Sequence, residues 1–288
     1  MKYQLDWIGR SKWQLDTPVA IVDISILNKN IQDMAEFADL AGVKLRPHIK
    51  THKMLAIAQK QLEAGACGLA VAKLGEAGVM LQTGCRNITI ANQIVPGEKI
   101  RRLLKLNKEA EVSCAIDSLE GAELLSKAAK RLGQKIPVLI EIDTGLQRCG
   151  VLPGEPALKL AEGLISFPGL ELKGVMTHAG HAYGAENIEE IARIGKQEGE
   201  AMVRTANLLR GKGLTCEVIS VGSTPTARYV ARVSGVTEIR PGNYVFYDAT
   251  QVSLGVAKEK QCALSIMATV ISRPDYQRAV RFFYTNIA

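Results

Sequence analysis

The stretch Arg46-Pro47-His48-Ile49-Lys50-Thr51-His52-Lys53 joins a short apolar strand around Val43 and Leu45 to a helical pattern that begins near Met54. Two histidines and two lysines thus meet at one strand-to-helix junction. Parallel α/β barrels present their chemistry at such junctions, because the loops after the strands form a single face. In an extended chain His48 and Lys50 share parity, so their side chains project to the same side. A lysine held there, partly desolvated and beside other cations, has a depressed pKa and can attack a carbonyl carbon. Taken alone, a K-x-x-K pair reads more readily as a basic, solvated turn, because charged residues are mostly exposed. The rest of the chain decides between the two.

Working outward, strand and helix alternate. Residues 19–23 form an apolar strand, and a helix follows from Ser25, the expected N-cap, to Ala41. Ile26, Ile31, Met34, Phe37 and Ala38 line one face of that helix, and Gly42 ends it. After the Lys50 stretch a helix runs to Ala64. Further strands are predicted at 68–72, 87–91, 112–116, 137–142, 172–176 and 216–221, with helices at 76–81, 97–106, 118–132, 155–165 and 187–209. Eight strand–helix units with nearly continuous apolar strands predict a parallel (β/α)8, TIM-type barrel over residues 15–235. A doubly wound sheet would require a G-x-G-x-x-G turn after the first strand, where Ile24-Ser25-Ile26 stands instead. Residues 1–14 and 236–288 remain as an incomplete C-terminal β domain. Within it, 237–248 reads as strand and turn and 262–271 as an apolar strand. The last stretch, with Arg278, Arg281, Phe282, Phe283 and Tyr284, shows neither strand alternation nor a closing turn.

Composition narrows the function. At 288 residues, 47% hydrophobic and 23% charged, the chain has the make-up of a soluble enzyme with one barrel-sized domain and a small appendage. No apolar run reaches the roughly 18 residues of a membrane span, and residues 1–13 lack the apolar core of a secretory signal. Six scattered cysteines without a C-x-x-C pair read as reduced thiols of a cytoplasmic protein. The net charge of +7 raises the possibility of nucleic-acid binding. Its densest cluster, Lys99, Arg101, Arg102, Lys105 and Lys108, lies on one helix face over an apolar underside and lacks interleaved aromatics. It excludes a base-stacking platform, while a modestly basic surface suits an anionic cofactor.

Three further segments carry polar chemistry at predicted strand ends. Val221-Gly222-Ser223-Thr224-Pro225-Thr226 follows the last predicted strand, where barrels build phosphate sites at a helix N-terminus. Glycine admits the backbone, the hydroxyls donate, and proline suits the first helical turn. An ordinary N-cap box is the alternative. Glu141-Ile142-Asp143-Thr144-Gly145-Leu146-Gln147-Arg148-Cys149-Gly150 pairs an acid and an arginine that either serve the site or order the loop as a local ion pair. Thr177-His178-Ala179-Gly180-His181-Ala182-Tyr183 brings two histidines three apart, with no third metal ligand nearby.

The opening stretch resembles the PH-x-KTHK signature of the D-serine dehydratase and D-threonine aldolase family, alanine-racemase-like fold-type III enzymes that use pyridoxal 5'-phosphate (PLP). The resemblance extends from about Leu15 to about Pro274. It implies that Lys50 bonds the cofactor and then removes the Cα proton. Gly222, Ser223 and Thr224, with Gly242 and Asn243 of the Arg240-Pro241-Gly242-Asn243 turn, would hold the phosphate. The D-T-G-x-x-R segment would set Arg148 near the phenolic oxygen, His48 would help bind the cofactor, and His178 or Tyr183 would contact the ring or hydrogen-bond to PLP. Met176 stands where family members often have a tyrosine, so the ring-nitrogen partner stays open, with Arg240 a second candidate. The implied activity is a carbon–oxygen or carbon–carbon lyase acting on a small D-amino acid with a β-hydroxyl, in a homodimer. A racemase or a non-catalytic PLP carrier are the alternatives. The family also expects a divalent metal such as zinc on a C-terminal His-x-Cys or His-x-Asp pair. No histidine follows His181, which implies a truncated member lacking those ligands, and predicts PLP binding ahead of turnover.

Overall fold

The computed structural model describes residues 7–281; Phe282, Phe283 and Tyr284 lie outside the described residues. Eight parallel strands form one sheet: β2 (Lys44–Leu45), β3 (Leu69–Val71), β4 (Asn87–Gln93), β5 (Glu111–Ile116), β6 (Ile136–Glu141), β7 (Leu170–Met176), β8 (Val218–Val221) and β9 (Glu238–Ile239). Strands β3 to β9 follow in sequence order, and β9 then pairs with β2. The ring closes between β2 and β3, where Cys67 N–H donates to Leu45 O at 2.9 Å and Ala70 N–H to Pro47 O at 2.8 Å. This is a TIM-type barrel.

Its first and last strands differ from the sequence expectation. Residues 19–22 form β1 (Val19–Val22), which lies outside the barrel and pairs antiparallel with β10 (Leu264–Met267), Val19 opposite Met267. The eighth barrel strand is β9, beyond the expected boundary at 235. An apolar run of four residues reads the same in a barrel or in a side sheet. A two-residue strand containing a buried glutamate carries no hydrophobic signal at all. The shift has one consequence for the site: the Gly222 loop follows the seventh barrel strand and the Arg240–Asn243 turn follows the eighth.

The surrounding helices are α1 (Ile24–Leu40), α2 (Leu55–Glu63), α3 (Leu74–Met80), α4 (Gly97–Leu106), α5 (Leu119–Arg131), α6 (Glu155–Leu164), α7 (Ile188–Gly211), α8 (Ala227–Val230) and α9 (Ala249–Ser253). Their starts follow capping chemistry. Asp23, not Ser25, caps α1, accepting Ser25 N–H at 2.9 Å and Ile26 N–H at 3.0 Å. Ser118 caps α5, and Gly42 closes α1 with φ +68°. The tail also departs from expectation: β11 (Val270–Asp275) and β12 (Arg278–Arg281) form an antiparallel hairpin, exposed along its length.

Apolar side chains between strands and helices form the core, with Leu27, Ile88, Leu103, Leu125 and Tyr244 essentially buried. The barrel interior is more polar than its strands suggest. Ala115, Leu139 and Met176 make a small apolar layer. Beside it Arg46 Nε donates to Glu238 Oε2 at 2.8 Å, and its Nη1 to Asn87 Oδ1 at 2.6 Å. Ser220 Oγ donates to the second Glu238 oxygen and accepts Arg240 Nη1.

Candidate active site

A cavity of about 590 Å³ opens at the C-terminal ends of the barrel strands, and every residue expected to meet the cofactor lines it: His48, Lys50, Arg148, His178, Tyr183, Gly222, Ser223, Thr224, Arg240, Gly242 and Asn243. His48 sits in extended chain, but Lys50 does not. Lys50 lies in a 3-10 turn, Ile49–Thr51, that His48 caps, its Nδ1 accepting the Lys50 N–H at 3.2 Å. The capped turn, not strand parity, brings Lys50 to the cavity beside His48. His48 N–H donates to Pro241 O at 3.0 Å, so the opening stretch is pinned to the Arg240–Asn243 turn. Contact there is tight, since a Cβ on Gly242 would lie 2.8 Å from His48 O.

Electrostatics favour neutral bases. Burial lowers the Lys50 ammonium pKa, helped by Arg148 and opposed by Glu76. The His48 imidazole is pushed down to about 3 by burial, then by Lys50 and Arg240. His178 is likewise pushed to about 3 by burial, then by Arg240, Lys50 and Arg148. Burial raises the Tyr183 hydroxyl pKa, with Asp248 adding to it. At neutral pH these rings are uncharged and the phenol keeps its proton.

Other expectations shift in detail. Arg148 Nη2 lies 3.8 Å from Glu141 Oε1 rather than on Asp143. Asp143 Oδ1 instead accepts the Gly145 and Gln147 amides at 2.9 and 3.1 Å, ordering the loop as an Asx turn. The two histidines of the 177–183 segment diverge: His178 lines the cavity, while His181 packs beneath Gly145. His52 also faces away. Its Nδ1 accepts Met54 N–H at 3.1 Å, its Nε2 reaches Gln61 Oε1 at 3.2 Å, and Gln61 donates to the Tyr244 hydroxyl at 3.0 Å. It anchors Met54, the residue before α2, and ties that helix to the chain after Gly242. Gly222 has φ +92°, and its N–H points back to Glu198 Oε1 at 2.8 Å, away from the cavity. Gly242 and Asn243 amides converge on Thr224 Oγ1 at 3.2 and 2.9 Å.

Sequence reasoning missed two groups. On the cavity wall Gln93 Nε2 donates to Glu141 Oε2 at 2.7 Å and to Asp117 Oδ2 at 3.0 Å, and Cys149 Sγ donates to Glu141 Oε1 at 3.2 Å. A glutamate ending an otherwise apolar strand was the available signal. Behind the Gly222 loop sits Glu198, whose signal was a charged residue on the apolar stripe of α7.

Residues 22–250 match the family model for the alanine racemase N-terminal domain. The chain belongs to that family. It is similar to the D-threo-3-hydroxyaspartate dehydratase of Delftia sp. (strain HT23), 38% identical over 258 residues that make up 89% of this chain and 68% of that protein. It is also similar to the D-threonine aldolase of Arthrobacter sp., 32% identical over 93% of this chain and 71% of that one. Among solved structures, the D-threonine aldolase from Filomicrobium marinum superposes with a TM-score of 0.87 at 32% identity, covering 93% of this chain and 73% of that one. Among the described residues no helix is long and apolar enough to cross a membrane.

Proposed function

We propose that this chain is a PLP-dependent carbon–oxygen or carbon–carbon lyase acting on a D-amino acid with a β-hydroxyl, with Lys50 bonded to the cofactor. The observation that carries the reading is convergence. Lys50, Arg148, His178, Tyr183 and Arg240 line one cavity with the Gly222–Thr224 loop and the Gly242–Asn243 turn. Enzymes of this family depend on PLP, and the similar dehydratases and aldolases are lyases.

The residues present fit that cofactor. Three cations, Lys50, Arg148 and Arg240, face the cavity against one lining carboxylate, Glu141, a balance that suits a phosphate-bearing ligand. Thr224 holds the Gly242 and Asn243 amides through its Oγ1, and Gly242 allows its turn to pack closely against His48, where a Cβ would lie 2.8 Å from the carbonyl oxygen. When bound, PLP supplies an electron sink for charge developing at Cα. The lowered pKa of Lys50 enlarges its neutral fraction, the form that bonds an aldehyde and takes a proton from Cα at Nζ. His48 and His178 would meet the ring as neutral imidazoles, and Tyr183 would offer its hydroxyl from the cavity wall. Among the described residues no group of three or more His, Cys, Asp or Glu could hold a metal ion, so no step is assigned to one. Six unpaired cysteines support a cytoplasmic location, and a homodimer completes the reading, checked by sedimentation.

Adding PLP gives an absorbance band near the visible edge that Lys50→Ala abolishes. If the variant absorbs identically, Lys50 is not the attachment point. Turnover is then assayed on D-threo-3-hydroxyaspartate, D-threonine and D-serine, with and without added zinc. Formation of a 2-oxo acid and ammonia indicates dehydration, and glycine with an aldehyde or 2-oxo acid indicates aldol cleavage.

A further inference from the structure

Glu198 projects from the buried stripe of α7 to the back of the Gly222–Thr226 loop and is 1% exposed. Its Oε1 accepts Gly222 N–H at 2.8 Å, its Oε2 accepts the Thr226 hydroxyl at 3.1 Å, and the Ala179 N–H adds a further bond. Thr226 Oγ1 in turn accepts Ser223 N–H at 3.0 Å and lies 3.2 Å from Ser223 Oγ. One carboxylate therefore holds both ends of the loop, directly or through a single hydroxyl. A carboxylate is an acceptor only, and burying it is tolerable only because donors surround it.

Close approach of the helix makes this contact possible. A Cβ on Gly199 would lie 2.7 Å from Val233 Cγ2, and one on Gly195 would lie 3.0 Å from Tyr229 Cβ. The two glycines flank Glu198 on the same face and let α7 press against α8 and the loop before it. A negative charge behind an anion site repels the anion, so the carboxylate does not serve as attraction. Its role is geometric: it turns the Gly222 N–H away from the cavity and holds that residue at φ +92°, which leaves Ser223 and Thr224 lining it.

We infer that Glu198 is a positioning residue for the cofactor's phosphate, shaping the Gly222–Thr226 loop from behind without touching the ligand. The identity of the anion rests on the PLP reading above. Affinities for PLP and for pyridoxal, which lacks the phosphate, separate local shaping from general stability. In Glu198→Ala the PLP affinity falls about tenfold or more, the usual range for losing hydrogen bonds to a charged group, while pyridoxal binds as in wild type. Glu198→Gln recovers most of the loss, because its amide oxygen accepts the Gly222 N–H and its nitrogen donates to Thr226 Oγ1. An unchanged ratio of PLP to pyridoxal affinity in Glu198→Ala, or an equal loss of both, overturns the inference. Should Glu198→Ala fail to fold, Thr226→Val removes the linking hydroxyl, and the same fall in the ratio is expected; a wild-type ratio overturns it. Failure of the PLP reading shows separately, as wild-type protein giving no Lys50-dependent absorbance with either aldehyde. In that case inorganic phosphate is the probe: it raises the melting temperature of wild type and not of Glu198→Ala, and equal rises overturn the inference.

Discussion

Gly242 and Lys50 show how much of the site rests on single atoms. An alanine at 242 places its Cβ 2.8 Å from the His48 carbonyl oxygen and 3.3 Å from Thr51 Oγ1. The His48 backbone is fixed by its bond to Pro241, so it has nowhere to move. Gly242→Ala is expected to lower stability by about 1–3 kcal/mol, the cost of overpacking, and to weaken PLP binding by displacing the Asn243 amide. Calorimetry and absorbance titration check both, and a variant as stable and as tight as wild type refutes the contact. For Lys50 the argument is electrostatic. Burial and Arg148 both lower its pKa, so removing Arg148 lets it rise. In cofactor-free Arg148→Gln, the pH midpoint for acetylation of Lys50, read by mass spectrometry, therefore moves upward. The shift is modest because Arg148 is half exposed and partly screened. A downward shift contradicts the assignment.

At the scale of elements, α7 and the strands carry different lessons. Gly199→Ala is expected to push α7 off α8 and the turn after it, since its Cβ meets Val230 Cγ2 at 3.1 Å and Val233 Cγ2 at 2.7 Å. It costs about 1–3 kcal/mol and, because Glu198 rides on the same helix, loosens PLP more than pyridoxal. An unchanged melting temperature refutes the close approach. The helices were legible because their apolar periodicity is long and their caps are local. The catalytic loops were legible for another reason: Lys50, Arg148 and the Gly222–Thr224 segment are identified by their chemistry, which survives an error in counting strands. The count itself was off at both ends. β1 is as apolar as a barrel strand, while β9 is two residues with a buried acid. The β11–β12 hairpin has no buried face, so there was no alternation to read. Glu198 escaped notice because its partners, a backbone amide and a hydroxyl, come together only when α7 docks.

Across the whole molecule a polar thread runs through the barrel, from Asn87 and Arg46 through Glu238 and Ser220 to Arg240 at the cavity. Glu238→Ala removes the carboxylate bonded to the buried Arg46 guanidinium and a counter-charge near Arg240, and is expected to cost about 3–5 kcal/mol, as measured by chemical denaturation. Protonation couples the same interior to pH. His48, His178 and His52 are held by burial at about 3, 3 and 4, below the 6.5 of a free imidazole. Between pH 6.5 and those values the unfolded chain binds more protons than the folded one. Their contribution is thus present above pH 6.5 and is lost as pH falls through 4 to 3. Glu198 acts oppositely: burial raises its carboxyl from 4.5 to about 7, so its contribution is present below 4.5 and is lost as pH rises through 7. Three groups outweigh one, and the melting temperature is expected to fall from pH 7 to pH 4. Glu198→Gln removes the opposing group and steepens that fall, whereas His52→Asn removes one of the three and flattens it. A melting temperature that holds level or climbs toward pH 4 means the histidines take up protons without unfolding, and the neutral, buried site described above is wrong.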